Sequence, residues 1–269
     1  MSPPAHPTNM ENPTVDEFGS RRSTVHALNG AVAASQPLAA QAGLRTLREG
    51  GNAFDAAVAT AAALNVVEPT STGLGGDVFM LYRDADDEVG AMRACGPAPE
   101  GTNREAVREA VADDRGVDLE EATMPETGPH AVTVPGTARG WEATVREFGR
   151  RSLADVLEPA IEYATGGYPV SPVVADQWRH AEALFESEHA REAYLVGGER
   201  APAPGETVRL ENLGESLRAI AREGADVVYE GHIAEAIAGA VQDAGGFLAV
   251  EDLADFAVEI GRASCRERV

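Results

Sequence analysis

The sequence predicts an α/β fold in which helices are layered on a small β-sheet. Residues 78–82 and 89–93 are two short strand-like runs separated by a polar turn, as in a β-hairpin. Residues 53–66 are rich in alanine and predict a buried helix, because small side chains allow close backbone approach on every side. Residues 138–245 are mostly helical in pattern. This order is not the strand–helix alternation of a Rossmann fold, so the class is α/β in the layered, α+β sense.

The first third of the chain begins with a polar segment and continues into two helices. Residues 1–22 are rich in Pro, Asn, Thr and charge, and predict a flexible N-terminal arm. A short strand is expected at about residues 24–32. Ser35 predicts the N-cap of a first helix, because its hydroxyl can accept from a free backbone N–H. Asn52 predicts the cap of the second, and Asp55 favours the positive end of that helix dipole.

Further elements follow from local patterns along the rest of the chain. The run at 78–82 is continuously apolar, which is typical of a strand covered on both faces. Residues 131–134 predict a third strand. Ser152 and Asp155 have the spacing of a capping box. Pro159 is expected to kink or divide the helix that follows, because it lacks the N–H of the helical hydrogen bond.

The charge balance of the chain is strongly acidic. There are 44 Asp and Glu residues against 22 basic residues, all of them Arg, which gives a formal net charge of -22. Such a surface repels nucleic acids and anionic membranes, so neither is an expected partner. Salt screens repulsion between surface carboxylates, and the composition therefore predicts a salt-adapted, halophilic protein.

Cysteine content and hydropathy limit the cellular setting. The two cysteines, Cys95 and Cys265, do not indicate a disulfide framework, and no Cys-x-x-Cys metal pair occurs. No apolar run has the length of a transmembrane helix. Arg21 and Arg22 superficially suggest an export signal, but the stretch after them lacks an apolar core. The sequence therefore predicts a cytoplasmic protein without a convincing signal peptide.

The residues alone reveal no catalytic centre. The glycine-rich segment at 73–76 follows a helix and precedes a strand, whereas a nucleotide-binding loop follows a strand and opens a helix. The acidic residues at 84–88 lack the spacing of a calcium loop, and His180 and His189 do not form a zinc-binding pair. No Gly-x-Ser-x-Gly motif occurs. We expect a tight turn at 73–76, a solvated hairpin turn at 84–88 and no metal site.

Several segments in a fixed order nevertheless form a recognisable set. They are SQPLA at 35–39, GGNAFDAAVA at 50–59, EP at 68–69 with GLGGD at 73–77, VPGT at 134–137 with GW at 140–141, YEG at 229–231, GGF at 245–247 and EDL at 251–253. Together they resemble the large-subunit half of the γ-glutamyltranspeptidases, also called glutathione hydrolases. The resemblance extends over residues 23–258, which we treat as one large-subunit portion.

This resemblance implies a fold, a reaction and a partner. The fold is the four-layer αββα sandwich of the N-terminal-nucleophile hydrolases, here incomplete. In that family a precursor cleaves itself, and the freed N-terminal Thr of the small subunit attacks γ-glutamyl amides such as glutathione, with its own α-amino group as the base. No metal or organic cofactor is implied, and the partner is the chain's own small subunit. The family's Thr-Thr-His motif does not occur here, so the nucleophile is expected beyond this chain and the chain alone is expected to be inactive.

One substrate-binding residue is implied by the resemblance. An Arg just after the second hairpin strand holds the substrate α-carboxylate in the family, and Arg93 stands there. A guanidinium pairs with a carboxylate through two parallel hydrogen bonds. Many relatives have Gly-Arg-Ala-Pro nearby, where this chain has Gly96-Pro97-Ala98-Pro99. On that second alignment Pro97 occupies the Arg position, and both alignments remain open.

Two alternative functions and the C-terminal segment also enter the expectations from the sequence. The chain could belong to an amide acylase of the same fold with a non-glutamyl substrate, or to a non-catalytic scaffold protein. Residues 259–269 depart abruptly in composition, with three Arg and the second Cys, and they back-translate to a common sequencing-library adapter. We therefore expect residues 259–269 to be a non-native tail and the chain to be a fragment.

Overall fold

A computed structural model describes residues 23–262, and the predicted arm at 1–22 lies outside this part. The chain divides into two units, Met1–Ala31 and Val32–Val269. In the first unit, residues 23–31 contain no helix or strand. The predicted strand at 24–32 is therefore wrong. Its sequence has strand-like residues, but a strand forms only where a neighbouring strand pairs with it.

The second unit is mainly helical, with two small sheets. Its helices are α1 (Pro37–Arg48), α2 (Ala53–Val67), α3 (Arg104–Arg115), α4 (Thr137–Phe148), α5 (Leu153–Gly166), α6 (Pro172–Ala181), α7 (Glu188–Tyr194), α8 (Glu211–Glu223), α9 (Asp226–Tyr229), α10 (His232–Asp243) and α11 (Val250–Ala254). Its strands are β1 (Val78–Arg83), β2 (Val89–Ala94), β3 (Tyr168–Pro169), β4 (Thr207–Val208) and β5 (Glu259–Arg262).

The helical layer is organised around α2. This helix packs against α1, α4 and α5, and α5 packs in turn against α8. Its alanines Ala59, Ala62 and Ala63 are fully buried, which confirms the buried alanine-rich helix predicted from the sequence. Large side chains of other helices, among them Trp141 and Trp178, are also fully buried in the same core. The core therefore combines the alanines of α2 with bulky side chains of the surrounding helices.

Local capping signals position most of these helices. The Asn52 side chain accepts from the N–H groups of Phe54 and Asp55, and the Asp55 carboxylate accepts from Asn52 N at 2.8 Å. Ser152 and Asp155 form the predicted capping box at the beginning of α5. The first cap differs from the prediction by one residue, because the Gln36 side chain, rather than that of Ser35, accepts from the helix.

One prediction for the middle of the chain is wrong, and another is wrong in part. Pro159 does not divide its helix, because α5 continues through it as one helix, whereas a kink at Pro159 stays a prediction. The expected third strand at 131–134 is instead a 3₁₀ turn, Pro129–Ala131, followed by extended backbone. In this segment the Val134 N–H bonds to the Pro97 carbonyl oxygen at 3.0 Å, a single bond to a loop rather than a strand ladder. Tertiary contacts decide both outcomes, which local propensity cannot anticipate.

The larger sheet has the order β1-β2-β5, with both neighbouring pairs antiparallel. Helix α4 covers one face, where Met92 and Ala94 of β2 are buried. On the other face Phe79 and Leu81 of β1 are 68% and 81% exposed. The prediction of a strand covered on both faces is therefore wrong for the described residues, since residues 23–262 supply only one covering layer.

The C-terminal end of the described part takes up the edge of this sheet. Residues Glu259–Arg262 form β5, and Arg93 of β2 lies opposite Glu259 in the register. Residues 263–269 lie outside the described part. The origin of 259–269 as a non-native tail stays a prediction. No helix between residues 23 and 262 is long and apolar enough to cross a membrane.

Candidate substrate cleft

The hairpin carries Arg93 to the rim of an open cleft. Arg93 is the fifth residue of β2, and the opposite position on β1 is Phe79. Its guanidinium forms a two-pronged pair with Glu259, with Nη2–Oε1 at 2.7 Å and Nε–Oε2 at 3.2 Å. The Arg93 side chain is 55% exposed. The predicted binding residue therefore stands at an accessible edge and holds a carboxylate in the geometry expected for a substrate carboxylate.

The cleft itself has a volume of about 480 Å³. One wall is the loop that follows β2, and the other is the segment around α11. The lining residues are Arg93, Cys95, Gly96, Pro97, Ala98 and Glu100 on the loop side, and Glu251, Asp252, Asp255, Phe256, Ala257 and Glu259 on the other. The walls thus present five carboxylate side chains and the guanidinium of Arg93. The site has the polar character needed to orient a charged small molecule.

Glycines allow the loop side of the cleft to pack against the segment before α4. A Cβ atom on Gly96 would lie 2.1 Å from the Val134 carbonyl oxygen. One on Gly136 would lie 1.9 Å from the Ala94 carbonyl oxygen. Both distances are far below any tolerated contact, so only glycine fits where these two backbones cross. The VPGT segment therefore contributes to the cleft by fixing the end of β2 and the beginning of the loop.

The glycine-rich segment at 73–76 supports the same junction. Gly76 N donates to the Gly73 carbonyl oxygen at 3.0 Å, which closes the tight turn predicted from the sequence. The Gly76 carbonyl oxygen accepts from both Gly136 N and Thr137 N, at 2.9 and 3.0 Å. Free N–H groups at the beginning of a helix can bind a phosphate, but these two N–H groups at the beginning of α4 already donate to Gly76. The turn is therefore a structural support.

Arg139 and Tyr229 hold the other wall of the cleft. The Arg139 guanidinium lies over the Tyr229 ring at 4.3 Å, donates to the Phe256 carbonyl oxygen and pairs with Asp226 at 3.1 Å. The Tyr229 hydroxyl donates to the Pro135 carbonyl oxygen at 2.9 Å. Burial raises the pKa of Tyr229 to about 12, so the hydroxyl remains a donor across the neutral range. This network ties the segment around Phe256 to α4 and α9.

Cys95 lies in the cleft but is not poised as a nucleophile. It is a half-buried free thiol one residue after the end of β2. A hydrogen bond with the Asp77 carboxylate and, second, burial raise the pKa of the Cys95 thiol. A thiol with a raised pKa stays protonated near neutral pH and attacks carbonyl groups poorly. The described residues also contain no group of three or more side chains that could hold a metal ion.

Sequence reasoning placed Arg93 in this region but missed its surroundings. Asp252 belongs to the EDL segment and Tyr229 to the YEG segment. Their place in these family-like segments was the only sequence signal that could have pointed to a role in the cleft. Their contacts with Glu100 and Pro135 join parts of the chain that are far apart in sequence. Pro97, the alternative to Arg93, lines the same cleft and is exposed. The structure therefore brings both candidate positions to one site.

Comparisons with known proteins agree with this architecture. The family model described as Gamma-glutamyltranspeptidase matches residues 39–267. The chain belongs to the γ-glutamyltranspeptidase family. Its relatives include the glutathione hydrolase-like YwrD proenzyme of Bacillus subtilis (strain 168), which is 40% identical over 80% of this chain and 39% of the relative. The chain thus spans about two fifths of the length of that curated relative.

Solved structures of the γ-glutamyltranspeptidase family and of acylases share the fold. The γ-glutamyltranspeptidase of Helicobacter pylori superposes with a TM-score of 0.81 at 30% identity, covering 88% of this chain and 67% of the other. The cephalosporin acylase of Bacillus halodurans gives 0.79 at 37% identity, covering 94% of this chain and 46% of the other. These similarities confirm the N-terminal-nucleophile hydrolase fold class predicted from the sequence.

Proposed function

We propose that this chain is the large-subunit portion of an enzyme that hydrolyses or transfers γ-glutamyl groups, with glutathione as a representative substrate. The observation that carries the proposal is the exposed guanidinium of Arg93 at the rim of the cleft, where it forms a two-pronged pair with the carboxylate of Glu259, a residue of the expected non-native tail. The Glu259 carboxylate there stands in for the α-carboxylate of a γ-glutamyl substrate. Family membership and the relatives named above as hydrolases support the same reaction class.

The uncovered face of the β1-β2-β5 sheet is the proposed seat of the small subunit. Phe79 and Leu81 are largely exposed there, next to Arg93, and apolar side chains in such a row favour a covering layer. A second sheet laid on this face would complete an αββα sandwich. It would also bring residues of the small subunit next to Arg93, where the substrate carboxylate is proposed to bind.

In the proposed reaction, an N-terminal Thr of that subunit is the nucleophile. Its hydroxyl oxygen attacks the γ-carbonyl carbon of the substrate, and its α-amino group takes the hydroxyl proton. The amide C–N bond breaks, and the leaving amine departs with a proton returned from that amino group. The resulting ester is then cleaved by water, or by an acceptor amine in transfer. The role of this chain is to orient the substrate through Arg93 and to form the cleft walls.

An amide acylase is the second candidate, and Pro97 favours it. Pro97 lines the cleft, and on the second alignment it stands where many γ-glutamyltranspeptidases have an Arg; a proline ring cannot pair with a carboxylate. The similarity to the cephalosporin acylase of Bacillus halodurans at 37% identity supports this alternative. If Pro97 rather than Arg93 occupies the family's carboxylate position, recognition of an α-carboxylate would be lost.

An assay of the longer reading frame separates these candidates. The gene region that encodes this chain is expressed with the sequence that follows residue 258, and the product is incubated with γ-glutamyl and butyryl anilides. The butyryl compound differs from the γ-glutamyl compound only in lacking the α-amino and α-carboxyl groups. Release of aniline from the γ-glutamyl compound alone supports the transpeptidase, and release from the butyryl compound alone supports the acylase. Release from neither favours a non-catalytic scaffold protein.

A further inference from the structure

Asp252 connects the two walls of the cleft. Its Oδ2 accepts from Ala249 N at 2.8 Å, which closes the N-terminal turn of α11. Its Oδ1 accepts from Glu100 N at 2.7 Å, on the loop that follows β2. The two donors come from opposite walls, and one carboxylate satisfies both. Hydrogen bonds from N–H groups to an ionised carboxylate are among the stronger ones in proteins.

The second of these bonds exceeds what helix capping requires. Helix α11 has only five residues, and the bond from Ala249 N is sufficient to close its first turn. The bond to Glu100 spans 152 residues of sequence and adds nothing to the helix. It does fix the far end of the loop, whose near end is held where Pro97 bonds to Val134 N at 3.0 Å. The exposed cleft-lining residue Ala98 lies between these anchors.

We propose that Asp252 is a positioning residue, which sets the distance between the loop and α11 and so gives the cleft the width in which Arg93 orients its ligand. This inference rests on the proposed function, because it takes the cleft to be the substrate site. Asp252 itself is occupied by two backbone N–H groups and touches no reacting atom. It acts through the loop that it holds.

We call the two hydrogen bonds that Asp252 accepts, from Glu100 N and Ala249 N, the clamp. Amide hydrogen exchange and thiol labelling test the clamp without any substrate. All variants carry Cys265→Ser, so that Cys95 is the only thiol and reports on the loop. In Asp252→Ala we expect the peptide at 95–101 to exchange about tenfold faster, and Cys95 to react faster with a maleimide, because a hydrogen bond of ordinary net strength is lost. Asp155→Ala is the matched control: it removes an equivalent capping box at α5 and should leave both readouts unchanged.

A second variant keeps the test decisive if Asp252→Ala is unstable. Glu100→Pro removes the donated N–H but leaves the bond between Asp252 and Ala249 intact. It should also speed the labelling of Cys95, while circular dichroism remains that of the parent chain. If both variants fold and neither exchange nor labelling changes, the clamp is refuted.

Binding of glutathione to the 269-residue chain, measured by calorimetry, then connects the clamp to the cleft. We expect Asp252→Ala and Glu100→Pro to weaken binding, and Asp155→Ala to leave it unchanged. Binding that is lost in Arg93→Ala but unaltered in Asp252→Ala would overturn the positioning role. If the parent chain itself does not bind glutathione, the proposal that its cleft is a glutathione site is contradicted. Exchange and labelling then still decide whether the clamp exists.

Discussion

Asp55 joins two parts of the helical layer with one carboxylate. It is fully buried and accepts from Asn52 N at 2.8 Å, Arg150 N at 3.0 Å and Arg151 N at 3.3 Å. The Asn52 side chain adds a bond to the Phe148 carbonyl oxygen. The beginning of α2 is thereby joined to the connection between α4 and α5. This explains, in physical terms, why the GGNAFDAAVA segment is present in a chain of this fold.

Replacement of Asp55 should therefore destabilise the chain severely. Asp55→Ala leaves three part-buried N–H donors without their acceptor, and we expect the free energy of unfolding to fall by about 3 kcal/mol. Asp155→Ala removes an exposed capping box and should cost only about 1 kcal/mol. Urea unfolding followed by circular dichroism measures both values. Equal losses in the two variants would show that Asp55 is no more than a helix cap.

Arg93 is the residue on which substrate recognition depends in this account. In the complete enzyme, Arg93→Ala should raise KM for γ-glutamyl substrates by about tenfold to a hundredfold, the usual effect of losing a charge-assisted pair. Arg83→Ala is a suitable control, because Arg83 is another exposed Arg of the same hairpin, paired with Asp87 in the turn. Steady-state kinetics of both variants provide the comparison. Unchanged kinetics in Arg93→Ala would favour the acylase.

At the scale of elements, the two faces of the β1-β2-β5 sheet should respond differently to the same substitution. Leu81→Glu places a charge on the exposed face, so we expect unchanged stability and less binding of a hydrophobic dye. Met92→Glu places it under α4, where Met92 is only 2% exposed, and should unfold the chain. Dye fluorescence and thermal unfolding measure both. A stability loss in Leu81→Glu similar to that in Met92→Glu would mean that the outer face is covered within this chain.

The elements also show how far sequence reasoning reaches. The two capping boxes at Asn52 and Ser152 were predictable because each depends on residues three positions apart. The hairpin was predictable from its apolar runs and its turn. The strand expected at 131–134 was not, since extended residues form a strand only beside a partner. The clamp at Asp252 could not be predicted either, because its partner, Glu100, is brought near only by the completed fold.

The whole molecule carries a charge of -22, and this should make its stability depend on salt. At low ionic strength the repulsion between surface carboxylates is unscreened over about 10 Å or more, so it opposes the compact state. We expect the unfolding temperature to rise steadily from dilute buffer to molar sodium chloride. Sucrose at matched osmolality is the control for general solvent exclusion. An unfolding temperature that does not respond to salt would contradict the prediction of a halophilic protein.

The central claim is that this chain belongs to a self-cleaving precursor with γ-glutamyl activity. The most direct measurement is intact-mass spectrometry of the protein expressed from the resequenced reading frame beyond residue 258, before and after brief exposure to a γ-glutamyl anilide. The account predicts two chains, of which the second begins with Thr and gains the mass of one glutamyl group. A single uncleaved chain, with residues 259–269 followed by a stop codon in independently prepared genomic DNA, would contradict it.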